Sequence, residues 1–445
     1  MTKILTLILC LTMTSNAVNA QKKSKPHPDI NESKEYPNVI HSPSAESTPP
    51  VFRSVLQMEI VVREGADEPA IRYADGVVVA KDGLLACVVD AADSKLTAEN
   101  IEGADVLLLD TRNQFAPKKV AETRGWNPQQ GAMMYWHPAA SDTQFFFNDR
   151  DPRDGTVFTV LFDIHHGDGG ARVKEYRFAD SPVANSGVAR SGSHFLALNY
   201  GRLARCRLVT GYAGLHDWSQ TQTAPENDGI FKVDVRSGAR TLLVSYKQLQ
   251  GVIRQDTADV ESFHLFINHT LWNQSDSRVY FYSRANFKSK LPKVDVPFTL
   301  DADGSNLTRH PHLGGHPEWD SGTIMIGAQG DRQVRYDTSA KKIVGIIGEP
   351  GMFSSPGGDI AFDSTGHWFV NGHKRKDLKQ TFFTIFNRRS NRIIRTEGFP
   401  VGDVVSGALR VDPAPRWDRD SSQILIGAWD ANTKTRQLFL LTLKI

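Results

Sequence analysis

The sequence predicts an all-β protein whose residues 53–445 form one β-propeller of seven four-stranded blades. Three observations predict it. The mature part of the chain shows little helical periodicity, a β-hairpin pattern recurs along it, and the copies are spaced as single propeller blades are.

The first element is not part of the fold. Lys3 precedes an apolar run from Ile4 to Met13, followed by small residues ending in Val18-Asn19-Ala20. This is the arrangement of a secretory signal, assigned to residues 1–20. The run is too short to span a bilayer, although a retained anchor is the alternative. Leu9 is too bulky for Cys10 to be a lipid-attachment site. An exported protein, periplasmic or extracellular, with no membrane insertion after signal removal, is therefore expected. Residues 21–52 are rich in Lys, Ser, Pro, Glu and Asn and read as a flexible leader. The formal net charge is +2 with no basic block, which argues against a nucleic-acid partner. Beyond the signal only Cys87 and Cys206 remain. They form either one disulfide or two buried thiols.

Each repeat copy is an aromatic or β-branched residue, a polar turn, then an alternating apolar strand. Trp136 leads through Ser141-Asp142 to Phe145-Phe146-Phe147, and Trp272 through Ser275-Asp276 to Val279-Tyr280-Phe281. Trp319 leads to Ile324-Met325-Ile326, Phe362 to Trp368-Phe369-Val370, and Trp417 to Ile424-Leu425-Ile426. Two weaker copies run from Val77 to Val89 and from Val188 to Leu198. A second hairpin after most copies completes a four-stranded blade. The distance from Val188 to Trp272 is too long for one blade, so insertions are placed at 206–228 and 246–262. The last blade has room for three strands, and the strand Phe52 to Val62 is expected to close the ring as its fourth. A pair of β-sandwiches is the structural alternative.

Polar residues at the start of each copy converge near the axis of such a ring. His269, His316 and Asp359 each stand three positions before the aromatic of three successive copies. Two imidazoles and a carboxylate suit a divalent cation, Mn²⁺, Ca²⁺ or Zn²⁺. They equally suit hydrogen bonds between blades, and both readings stand. Arg410, Asp412 and Arg416 precede Trp417, and His194 falls in the copy near Val188. His310, His312, His367 and His373 lack this register and are expected at the surface, as are His165 and His166 beside a glycine-rich turn.

Several segments resemble the oligogalacturonate lyase and ulvan lyase propellers. They are Asn268-His269-x-x-x-Asn273, Gly315-His316-Pro317-Glu318-Trp319, Leu198-Asn199-Tyr200-Gly201-Arg202-Leu203 with Gly211-Tyr212, Asp228 to Asp234, and Arg410 to Trp417. The resemblance implies β-elimination on an acidic, uronic-acid-containing oligo- or polysaccharide. A base takes the proton beside the carboxylate, a cation neutralises that carboxylate, and an acid protonates the leaving oxygen. By resemblance His269 falls at the base and also in the metal set with His316 and Asp359. Tyr200, Arg202 and Arg205 fit an acid and carboxylate clamps, while His194, Arg410 and Arg416 are the further substrate contacts. The chain departs from the family after His316: Asp359 replaces a histidine-rich segment, Ala361 cannot ligate, and Ala414 stands where many relatives have histidine. The hairpin repeat also resembles TolB-like propellers, which makes a non-catalytic binding propeller the alternative. A glycoside hydrolase would need two carboxylates across a pocket, for which Asp359, Asp412 and Glu318 are the candidates.

Overall fold

The computed structural model describes residues 103–445 except 111–115, 128, 141–142, 168, 288, 350–351, 354–355, 397, 403–409, 418–420, 432–434 and 444–445, and before them the strands 39–43, 55–60, 78–80 and 83–90. The signal segment and the leader, apart from residues 39–43, lie outside the described residues.

Seven antiparallel sheets account for the strands, one for each repeat copy. Blade 1 holds Val55–Ile60, Val78–Ala80, Gly83–Asp90, Ala104–Asp110 and Ala116–Thr123. Blade 2 runs from Tyr135–Trp136 to Ala171–Tyr176, and blade 3 from Ala184–Val188 to Arg240–Ser245. Blade 4 runs from Phe266–Trp272 to Thr308–Arg309, and blade 5 from Gly314–Ser321 to Lys342–Ile347. Blade 6 begins with Ile360–Phe362 and includes the outer strands Ile393–Arg395 and Phe399–Pro400. Blade 7 joins Arg416–Trp417, Gln423–Asp430 and Thr435–Leu443 to an N-terminal strand, Val39–Pro43.

The ring is therefore closed by both ends of the chain, but by a different strand from the one expected. Val39–Pro43 pairs with Thr435–Leu443, whereas Val55–Ile60 pairs with Gly83–Asp90 in blade 1. Alternation identifies a strand but not the edge it joins, and the intervening residues are long enough for either pairing.

The repeated aromatics close the gaps between blades. Trp319 Nε1 donates to Leu271 O of blade 4 at 3.1 Å, and Trp417 Nε1 donates to Ala361 O of blade 6 at 3.1 Å. Both acceptors directly precede the aromatic of the blade before. Both of these indoles are buried, and the one donor of each is satisfied across the interface, which fixes blade 5 against blade 4 and blade 7 against blade 6.

Both insertions leave the ring on the side where the innermost strands begin. The first starts at Asn199, earlier than expected, because Asn199 caps a helix α1, Tyr200–Arg207, by accepting from Arg202 N. A second helix α2, Tyr246–Ile253, starts on a Ser245–Gln248 capping box. Cys206 on α1 is a free thiol and Cys87 has no described side chain. Among the described residues no helix is long and apolar enough to cross a membrane.

Candidate functional site

The site lies at the inner strands of blades 4 to 6, where the backbone is irregular in each. In blade 4 the pairing of Phe266–Trp272 with Arg278–Ala285 shifts between Asn268 and Leu271, and His269 takes a left-handed φ of 58°. A β-carbon there costs about 1–3 kcal/mol, and such strain gathers at functional positions. Thr270 holds the bulge in place by donating to Ser186 O of blade 3 at 2.7 Å.

Blades 5 and 6 meet through glycines. Gly315 and Gly358 have φ values of 72° and 120°. A β-carbon on Gly358 would sit 1.9 Å from Gly372 O, and one on Gly315 would sit 3.1 Å from Gly358 N. Only glycine lets these strands approach closely enough for His316 N to donate to Gly358 O at 3.1 Å. The residues following the glycines, His316 and Asp359, are thereby set against each other.

His316 Nδ1 hydrogen-bonds Asp359 Oδ1. The rings of His316 and His269 lie 4.8 Å apart, tilted by 52°, so the three residues picked from the repeat register do come together. Asp359 is buried; burial alone would raise its carboxyl, but His316, Arg416 and Lys374 outweigh that and hold it below its ordinary value. His269 is 9% exposed, and burial pushes its imidazole well below the ordinary histidine value, with Arg284, His316 and Arg207 adding to the effect. It is thus a neutral ring at physiological pH.

Two arginines act on this imidazole through their charge. Arg284 lies across the strand pair from Phe266 and donates to Asp295 at 2.7 Å and to Asn268 at 2.9 Å. Its guanidinium sits 4.3 Å from the Tyr282 ring centre. Arg207, from the end of α1, lies over Phe287 at 4.5 Å. Asp295 is held below the ordinary carboxyl range: burial opposes this, but His312, Arg284 and Lys293 prevail. Arg284, Arg207 and Tyr282 escaped the repeat reading because they come from a second strand and an insertion. The alternation Tyr280, Tyr282, Arg284 on one strand face carried the signal.

The other expected residues are placed as follows. Arg202 is fully buried and donates to Leu265 O at 2.6 Å, Ser219 Oγ at 3.1 Å and Gln222 O at 3.1 Å, with a further bond to Thr223 O. It ties the first insertion to the strand that carries His269. Arg205 pairs with Asp217 at 2.7 Å and touches His264 at 3.2 Å. Tyr200 is buried, donates to Asn185 O at 2.8 Å and stacks on Tyr212 with ring centres 4.2 Å apart. His194 sits at the opposite end of its blade, 3.6 Å from Asp234, and does not join the group. Arg410 forms a two-point pair with Asp412 at 2.8 and 2.6 Å, shared with Lys374 at 3.3 Å. Arg416 is buried and donates to Pro415 O at 2.7 Å. Two histidines expected at the surface are buried instead. His310 lies between Thr299 at 2.8 Å and Tyr336 at 3.1 Å, and His373 contacts Thr384 at 3.0 Å. Hydroxyl partners on neighbouring strands, invisible in sequence, satisfy both ring nitrogens of His310 and Nε2 of His373.

The expected metal set of His269, His316 and Asp359 does not take the form of a cation site. Among the described residues no group of three or more His, Cys, Asp or Glu side chains is disposed to hold a metal ion. His316 and Asp359 spend their facing atoms on each other, and the cations nearby disfavour another positive charge.

These features define a closed seven-bladed β-propeller with a cationic, histidine-bearing centre on one side. Among solved structures, an oligogalacturonate lyase from Vibrio parahaemolyticus aligns with TM-score 0.53 at 12% identity, covering 91% of this chain and 96% of that one. An oligogalacturonate lyase in complex with manganese aligns with TM-score 0.51 at 15% identity, covering 86% and 90%. TolB from Acinetobacter baumannii aligns with TM-score 0.37 at 11% identity, covering 83% and 79%. At these identities the two lyase alignments establish the fold. No protein-family model and no curated protein matches the sequence.

Proposed function

We propose that this is an exported polysaccharide lyase that cleaves a uronic-acid-containing oligo- or polysaccharide by β-elimination. The observation that carries the reading is His269: a buried, neutral imidazole on a strained bulge, against His316 and beside two arginines. The neutral ring takes the C5 proton of the uronate. The C5–H electron pair forms the C4=C5 double bond as the C4–O4 bond breaks, and O4 leaves with its pair. Arg284 and Arg207 stabilise the charge that builds on the carboxylate during proton removal. His316, hydrogen-bonded to Asp359, returns a proton to O4. No step runs through a metal ion, because the residues present do not supply a three-ligand set.

The test is incubation with pectin, ulvan and glycosaminoglycans. Unsaturated products absorbing in the ultraviolet are expected from at least one, and His269→Ala abolishes them while the circular dichroism stays that of the parent. Absence of product from the whole panel overturns the reading. One observation favours a binding propeller instead: His316 and Asp359 bond to each other, as purely structural residues between blades would. That reading predicts retention on an acidic glycan column, or on a protein partner, without turnover.

A further inference from the structure

The outer edges of the blades are not alike. Blade 1 ends on Ala116–Thr123, with Lys118 and Lys119 exposed, and blade 2 on Ala171–Tyr176, which carries Arg172, Lys174 and Glu175. Blades 4 and 6 end on the short strands Thr308–Arg309 and Ile393–Arg395. In blade 3 the last three residues of the outer strand are buried. Charge, brevity and cover are the usual means of keeping a sheet edge from pairing.

Blade 5 has neither brevity nor cover, and the one charge on its outer strand stands at the first residue. Its outer strand reads Lys342-Ile343-Val344-Gly345-Ile346-Ile347. Ile343, Val344 and Ile346 are 39%, 44% and 50% exposed, three of the six large hydrophobic residues exposed among the described residues. The pairing with Arg332–Asp337 skips Val344, and this bulge leaves Ile343 and Val344 both facing outward.

We propose that this edge is the interface of a two-fold symmetric homodimer, in which two copies of Lys342–Ile347 pair antiparallel about Gly345. Charge complementarity selects a second copy of this chain. With Gly345 on the axis, Val344 faces Ile346 of the other copy and Lys341 faces Glu349, while Ile347 stays packed in the core of its own protomer. Lys341 and Glu349 are both exposed and neither forms an ion pair within the described residues. A parallel arrangement would set lysine against lysine instead. Gly345 brings no side chain to the axis, so the strands can approach there. The self-complementary order of lysine, apolar residues and glutamate is what a two-fold contact requires of one segment. A six-residue edge is at the small end of specific interfaces, which sets the expected dissociation constant in the micromolar range.

Sedimentation equilibrium of the purified protein over a concentration series tests this. A reversible monomer–dimer equilibrium is expected for the parent, and the double variant Val344→Lys/Ile346→Lys is expected to be monomeric with unchanged circular dichroism. Lys341→Glu or Glu349→Lys alone is expected to weaken the dimer about tenfold, and the two together to restore it. A monomeric parent, a lysine variant that still dimerises, or a charge swap that fails to restore association overturns the proposal.

Discussion

His269 sits at a strained backbone position, packs against His316 and Tyr282, and feels the charge of Arg284 and Arg207. Its left-handed φ suits asparagine, which tolerates that region, so His269→Asn is expected to keep the thermal stability of the parent within about 1 kcal/mol. The same variant is expected to show no lyase activity, since the amide cannot accept the proton. Arg284→Lys retains a charge but loses the fork that bonds Asp295 and Asn268 together. A loss on the order of 100-fold in kcat/KM is expected, read against a small change in melting temperature. Two buried histidines outside the His269, His316 and Asp359 group contribute to acid stability. Burial lowers His310 to about 4 and His373 to about 3, with neighbouring cations adding to both shifts. Below the unfolded value of about 6.5 the unfolded chain takes up protons that the native chain refuses. Their contribution is therefore complete above that pH and is lost as pH falls toward 4 and 3. For His310 alone this is on the order of 3 kcal/mol. Urea titrations from pH 7 to pH 4 are expected to show that fall, and His310→Gln to show a shallower one.

The element that shapes the site is the first insertion, and its anchor is Arg202. The guanidinium gathers carbonyls from Gln222, Thr223 and Leu265, so removing it leaves several buried acceptors unpaired. Arg202→Met is expected to cost several kcal/mol, at about 1–3 for each orphaned acceptor. Hydrogen exchange should localise the loosening to residues 215–225. If protection there is unchanged, Arg202 is not the anchor. The Asn199 side chain joins the same network by donating to Asp217 at 3.0 Å and Asp228 at 2.9 Å. By resemblance of their motif, Tyr200 and Arg202 fit an acid and a carboxylate clamp. A motif gives residue type and order, and whether a guanidinium faces solvent or its own chain depends on a loop twenty residues away.

At the scale of the whole molecule the ring depends on closure. The strand Val39–Pro43 supplies the fourth strand of blade 7. A chain starting at residue 45 is expected to melt lower than one starting at residue 31 and to aggregate on heating, because Thr435–Leu443 becomes an open edge. Equal melting temperatures would show that closure adds nothing. The seven blades were legible because each copy needs an aromatic, a polar turn and an alternating strand, and those are local requirements. Val188 marks a blade as faithfully as Trp319 does, although it lacks the indole.

The sequence by itself determined the blade count, the repeat register and the meeting of His269, His316 and Asp359. Equivalent positions in a repeat share one geometry, so register alone carries them to the same place. Tertiary structure decided which strand closes the ring, that Arg284 and Arg207 flank His269, and that His310 and His373 are buried. It also decided that His316 and Asp359 bind each other. These depend on pairing between strands far apart in sequence, on the path of an insertion, and on which donors meet which acceptors. None of them leaves a mark at fixed spacing along the chain.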